Sequence, residues 1–153
     1  MTDMSNSPIG QRVVRREDKR FLTGAGRYTD DIVLPGQTWA CFVRSPHAHA
    51  RIVRIDTAPA LASPGVLAVY TGEDIAATGV GSIPCGWLIH SKDGSPMKEP
   101  AHPVLAVGKV RYVGELVAIV VAEDYASAKD AAELVEVEYE VLEAVVDTAS
   151  AEK

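Results

Sequence analysis

Cysteine is nearly absent from this 153-residue sequence, which holds only Cys41 and Cys85. Two thiols make neither a disulfide framework nor a structural zinc set, so they read as reduced thiols and the core must form by apolar packing. Long apolar runs are missing too: no stretch approaches the roughly 18 residues that a membrane span needs. The opening Met1–Pro8 is polar and contains no apolar segment of the leader type, which predicts a cytoplasmic location. Basic residues are outnumbered, 15 against 21 acidic ones, giving a net charge of −6 and a pI near 5.2. Nucleic-acid affinity comes largely from neutralising phosphates with Lys and Arg, and no long basic run exists here. Nucleic acid is therefore excluded as a partner.

What is present suits an ordinary globular chain: 47% hydrophobic residues against 24% charged. Residues 1–8 read as a disordered start, 9–148 as a single domain and 149–153 as a tail. Gly24, Gly26 and Gly36 break up residues 9–37, which predicts no long regular element there. Strands are predicted at Thr38–Arg44, Arg51–Ile55 and Val66–Tyr70, where β-branched and aromatic residues are dense. Asp56 is placed to accept from a short helix after the second strand, and another helical turn begins at Thr71. Residues 78–103 carry four glycines and four prolines and keep no period; so long a connection is usually functional or docked. Trp87, Leu88 and Ile89 lie within it, which argues against their full exposure. Further on, Leu116–Val121 is continuously apolar, as in a strand covered on both faces. Asp124 is a helix cap, and Tyr125, Ala128, Ala131, Ala132 and Val135 share one helical face. Val135–Val141 alternates strictly, with Glu136, Glu138 and Glu140 on a wet face. The result is a mixed α/β (α+β) chain ending in a β-α-β unit, whose crossover is right-handed if its strands are parallel.

Candidate chemistry is thin. Gly24-Ala-Gly26 lacks the third glycine, the preceding strand and the following helix of a dinucleotide loop, so its glycines serve a turn. His47 and His49 are two apart and, on an extended strand, share a side. Zinc usually takes three or four protein ligands, however, and Cys41, Cys85, His90 and His102 show no matching spacing. The pair reads as hydrogen-bonded edge or interface residues, with pH-sensitive contact as an alternative. Ser45 lacks the flanking glycines of a nucleophile elbow. Cys85 has no positive neighbour to make it reactive. Glu115 is either a turn-capping or arginine-paired carboxylate, or a buried general base. The charged run Arg15–Arg20 reads as a solvated or salt-bridged segment. No catalytic, cofactor-binding or metal-ligating residue is nominated. Candidate interface residues are Arg44, His47, His49 and Arg51 on one edge, with Trp87 and His90 in the long loop.

Three stretches in register carry a resemblance. They are Ile9-Gly-Gln-Arg-Val-Val-Arg-Arg-Glu-Asp-Lys-Arg-Phe-Leu-Thr-Gly-Ala-Gly-Arg-Tyr-Thr-Asp-Asp, Phe42-Val-Arg-Ser-Pro-His-Ala-His-Ala-Arg-Ile52, and Val110-Arg-Tyr-Val-Gly-Glu-Leu-Val-Ala through Ala131-Ala-Glu-Leu-Val-Glu-Val-Glu-Tyr-Glu. Together they resemble the N-terminal part of the molybdenum-binding large subunit of the xanthine dehydrogenase and aldehyde oxidase family, nearest the aerobic carbon monoxide dehydrogenase type. The resemblance implies an α/β hammerhead fold over about residues 9–148 and membership of an oxidoreductase complex. That complex would use a molybdopterin-type molybdenum cofactor, 2Fe-2S clusters and FAD. Implied partners are the molybdopterin-binding region of the large subunit and the iron–sulfur and FAD subunits. The family's cofactor-contacting and catalytic segments match nothing here. The implied role is therefore structural, with no catalysis and no cofactor bound by this chain alone, and the end at Lys153 reads as the truncation point of a longer subunit. The alternative is a free-standing interaction or small-ligand-binding domain that reuses the fold.

Overall fold

A computed structural model describes Gly10 and residues 14–151. The predicted disordered start 1–8, the positions Ile9 and Gln11–Val13 of the first resemblance stretch, and the last two residues of the tail lie outside the described residues. The chain divides into two units, Met1–Gln37 and Thr38–Lys153.

In the first unit, α1 (Asp18–Leu22) is a little over one turn long. The Thr23 hydroxyl ends it by donating to the Lys19 carbonyl at 2.7 Å. Gly24 then takes φ +71°, the left-handed region that costs glycine nothing. That reversal stacks Phe21 on Tyr28, with ring centroids 5.5 Å apart. The Arg20 guanidinium sits 4.9 Å from the Phe21 ring centre. Tyr28-Thr-Asp-Asp forms a single 3-10 turn, Thr29–Asp31, in which the Tyr28 N–H donates to the Asp31 carboxylate at 2.9 Å. Gly24 is a turn residue, as its sequence context predicts, whereas Gly26 lies beyond the turn against the Phe21 ring.

The second unit contains, in order, β1 (Trp39–Arg44), β2 (Ala50–Asp56), α2 (Ala58–Leu61), β3 (Val66–Thr71), α3 (Gly72–Ala77), β4 (Lys109–Val110), β5 (Leu116–Ala122), α4 (Tyr125–Glu133) and β6 (Glu136–Val141). They build two three-stranded sheets with orders β1-β5-β3 and β4-β2-β6. Every pairing is antiparallel. The apolar run Leu116–Val121 is the central strand of the first sheet, which explains why its sequence does not alternate. Helix α4 packs on that sheet, with Ala131 in one buried cluster with Ala118 and Val120; Ala128 of the same helix is also fully buried. The alanines permit this close approach. On the opposite side of β5, Val117 joins Ala50, Ala106 and Val110 in a second cluster beneath β2 and β4. Ile55 and Val137 touch both clusters, so the core is continuous.

Local caps fall where the sequence places them. Asp124 accepts from the Ser127 N–H and hydroxyl, both at 2.8 Å, and starts α4. The Asp56 carboxylate accepts from the Ala58 N–H at 3.1 Å. Thr71 and Asp74 exchange side-chain and backbone hydrogen bonds at the start of α3.

Three expectations need correction. The C-terminal strand, helix and strand occur in the predicted order, but β5 and β6 lie in different sheets. Both sides of β5 are occupied by β1 and β3, while β6, wet on one face, pairs with the arginine-bearing β2. The parallel pairing on which crossover handedness depended is absent. Tyr125 leaves the helix's buried face: it is 57% exposed and meets the Trp39 ring edge-on at 5.9 Å. Its position in the first turn puts it at the rim of the sheet. Residues 78–103, finally, are not structureless. They fold back as an arm held by Ile83 N–H to the His102 carbonyl (2.8 Å) and Met97 N–H to the Ile89 carbonyl (3.1 Å). A bridge between His90 and Pro96 lies near its tip. Its apolar residues are not covered within this chain: Trp87 is 80% exposed.

Candidate functional site

Four of the candidate residues gather at the corner between β1 and β2. After β1 the chain turns at Ser45-Pro46, and Ser45 is buried because its hydroxyl serves the turn backbone. Its Oγ accepts from the His47 N–H and donates to the His47 carbonyl, both at 3.0 Å. The Arg44 guanidinium donates to the Gly114 carbonyl at 3.0 Å. Backbone bonds from Ser45 to Glu115 and from Gly114 to Ser45 fasten the corner to the 111–115 turn.

The histidines do not converge. His47 lies edge-on to Tyr139, 5.0 Å between centroids. His49 Nδ1 is 2.6 Å from the Glu143 carbonyl; since a carbonyl only accepts, that nitrogen carries the proton. Both residues lie in the connection before β2 rather than on a strand, so the same-side rule never applies. Burial raises the Tyr139 phenol above its ordinary value. Arg51 forms an ion pair with Glu140 across the β2–β6 ladder. Trp87 and His90 sit on the arm, a second location.

Glu115 resolves to the turn-capping reading. It is 5% exposed, and its Oε2 accepts the Arg111 N–H. Among the described residues no group of three or more His, Cys, Asp or Glu gathers around one point. Every fully buried side-chain nitrogen or oxygen there has a partner. The polar residues of this corner thus hold backbone in place.

One feature escaped the sequence reading. Phe42, Ile119 and Tyr70 are directly paired across β1, β5 and β3, which puts their side chains on one face. That face is opposite α4, and Phe42 and Tyr70 are 41% and 44% exposed. The signal was available: Phe42 follows Trp39 at odd spacing, so β1 has large apolar residues in both phases of its alternation. With the exposed arm, this gives the chain two apolar surfaces and a corner of arginines and histidines between structural elements.

Comparison with known proteins places this arrangement. The family described as aldehyde oxidase and xanthine dehydrogenase, a/b hammerhead domain, matches residues 23–143. The nicotine 6-hydroxylase large subunit of Paenarthrobacter nicotinovorans is 47% identical over 94% of this chain and 17% of its own length. The carbon monoxide dehydrogenase large chain of Afipia carboxidovorans is 44% identical over 91% of this chain and 16% of its own. Among solved structures, quinoline 2-oxidoreductase from Pseudomonas putida 86 superposes with a TM-score of 0.78 at 46% identity, covering 94% of this chain and 18% of that one. The chain thus spans less than a fifth of the length of these relatives. Mixed α/β architecture, antiparallel sheets and a match over most of the sequence agree: the chain belongs to the aldehyde oxidase and xanthine dehydrogenase family, as the α/β hammerhead domain of its molybdenum hydroxylase large subunits.

Proposed function

We propose that the chain is a structural domain of a molybdenum hydroxylase large subunit, within a cytoplasmic oxidoreductase complex that oxidises carbon monoxide, aldehydes or N-heterocycles. Its job is docking, and it has no chemistry of its own. The observation that carries this reading is the apolar row Phe42–Ile119–Tyr70, whose outer members Phe42 and Tyr70 are exposed, together with the exposed Trp87, Leu88 and Ile89 on the arm. Apolar patches of this kind mark surfaces that meet other protein. The partners proposed are the molybdopterin-binding region of the same subunit and the iron–sulfur and FAD subunits. Arg44, His47, His49, Arg51, Trp87 and His90 are proposed to lie at those interfaces.

The molybdopterin-type cofactor, the 2Fe-2S clusters and FAD belong to those partners in this reading. Among the described residues there is no clustered donor set and no fully buried polar atom awaiting a ligand, so these residues do not fit a cofactor cradle. No step of the reaction is assigned to them.

The test uses the chain alone. Uncovered docking surfaces make it bind a hydrophobic dye and self-associate as concentration rises, and Phe42→Ser with Trp87→Ser should suppress both without loss of secondary structure. A monodisperse, dye-silent parent chain contradicts the docking role.

A further inference from the structure

We propose that the cleft between the 83–102 arm and the 111–115 turn binds a small molecule consisting of an apolar body and one ammonium or N–H donor. The cleft holds about 370 Å³ and its walls include Ile83, Met97, Pro100 and Tyr112. That volume lies within the roughly 300–1,000 Å³ typical of small-ligand sites. Glu115 is the buried residue among those lining it.

The carboxylate gives the cleft its polarity. Arg111 N–H occupies Oε2, and no hydrogen bond to Oε1 is present among the described residues. A carboxylate offers about four acceptor sites. Since every fully buried side-chain oxygen among the described residues has a partner, an Oε1 without one is open at the surface and within reach of a ligand. A ligand that brings a donor to Oε1 uses an acceptor that no protein group takes, while its apolar part covers the Met97 and Tyr112 walls. An anionic ligand with the same body is repelled by the same group. The nearby cations do not reverse this. Lys98 and Glu99, of opposite charge, both line the cleft, and the Arg111 guanidinium is turned toward the Lys109 carbonyl at 3.3 Å. The inference does not rest on the docking role.

The test compares 2-phenylethylamine with phenylacetate, which share a body and differ in the charge of the head group, by calorimetry and by NMR shifts of Tyr112 and His102 at pH 7. The amine should bind and the acid should bind at least about tenfold more weakly, the size of one charged hydrogen bond. Glu115→Gln keeps an acceptor for Arg111 N–H and should erase the difference between the two. Because that variant disturbs a buried turn, Ala101→Trp is a second one: it fills the cleft from an exposed position, and should abolish amine binding with an unchanged melting temperature. Equal binding of amine and acid overturns the proposal, as does amine binding that survives Ala101→Trp. The same titration on the complex purified from the native host separates a small ligand from a protein side chain of like chemistry. Binding there supports the small-molecule site, whereas binding to the isolated chain alone gives the cleft to a protein neighbour and overturns it.

Discussion

At the scale of single residues, the tightest constraint among the glycines is at Gly72, the first residue of α3. A Cβ placed there would overlap the Ala106 carbonyl oxygen, a backbone atom held by the Ala106 N–H bond to Leu116. Neither side has a flexible end that can give way. Gly72→Ala should therefore lower stability by about 1–3 kcal/mol, the range for overpacking a well-filled site, measurable by urea denaturation. Carboxylates supply a second residue-level expectation. Hydrogen bonds from Thr71 hold the Asp74 carboxyl below its ordinary pKa, and those from Ser127 do the same for Asp124. A depressed folded-state pKa contributes stability that is fully present above the unfolded value of about 3.9 and lost as pH falls through the folded value. Melting temperature should hold from neutrality down to about pH 5 and drop below about pH 4, where the unfolded carboxyls take up protons first. Asp124→Asn should flatten part of that drop. An unchanged acid profile in this variant would remove the cap from the explanation.

At the scale of elements, periodicity was legible and pairing was not. The helix at 125–133 and its buried alanines followed from the spacing of small residues, and the strand at 136–141 from strict alternation. Partner choice was hidden because it depends on which strand edges remain free. β1 and β3 take both sides of β5, and β6 goes to β2, where Glu138 faces Arg54 and Glu140 faces Arg51. The strand β4 is only two residues long, too short for any pattern to reveal. The arm at 78–103 looked irregular because its ladder is spaced widely and its glycines and prolines mask the pairing. Helix α4 offers the direct test of element packing. Ala128 is fully buried in a helix that packs on the first sheet. Ala128→Leu should cost about 1–3 kcal/mol by forcing the helix off the sheet. Lys129→Ala, on the exposed side, should stay within about 0.5 kcal/mol. Equal effects of the two would mean that α4 is not seated as described.

At the scale of the whole molecule, the family was legible because three separated stretches agreed in order, each modest alone. The candidate site was only half legible. His47 and His49 looked like a pair, but a turn sends one ring to Tyr139 and the other to the Glu143 carbonyl. The apolar face at Phe42, Ile119 and Tyr70 emerged only when three strands were aligned, since no single segment shows it. These surfaces suit a domain that positions other polypeptide. The most direct test of that account is the molybdenum content of material purified from the native host on a tag carried by this chain. The account predicts molybdenum together with companion iron–sulfur and FAD subunits, lost when Phe42→Ser and Trp87→Ser break the docking surfaces. A molybdenum-free preparation that brings down no companion subunit would contradict it.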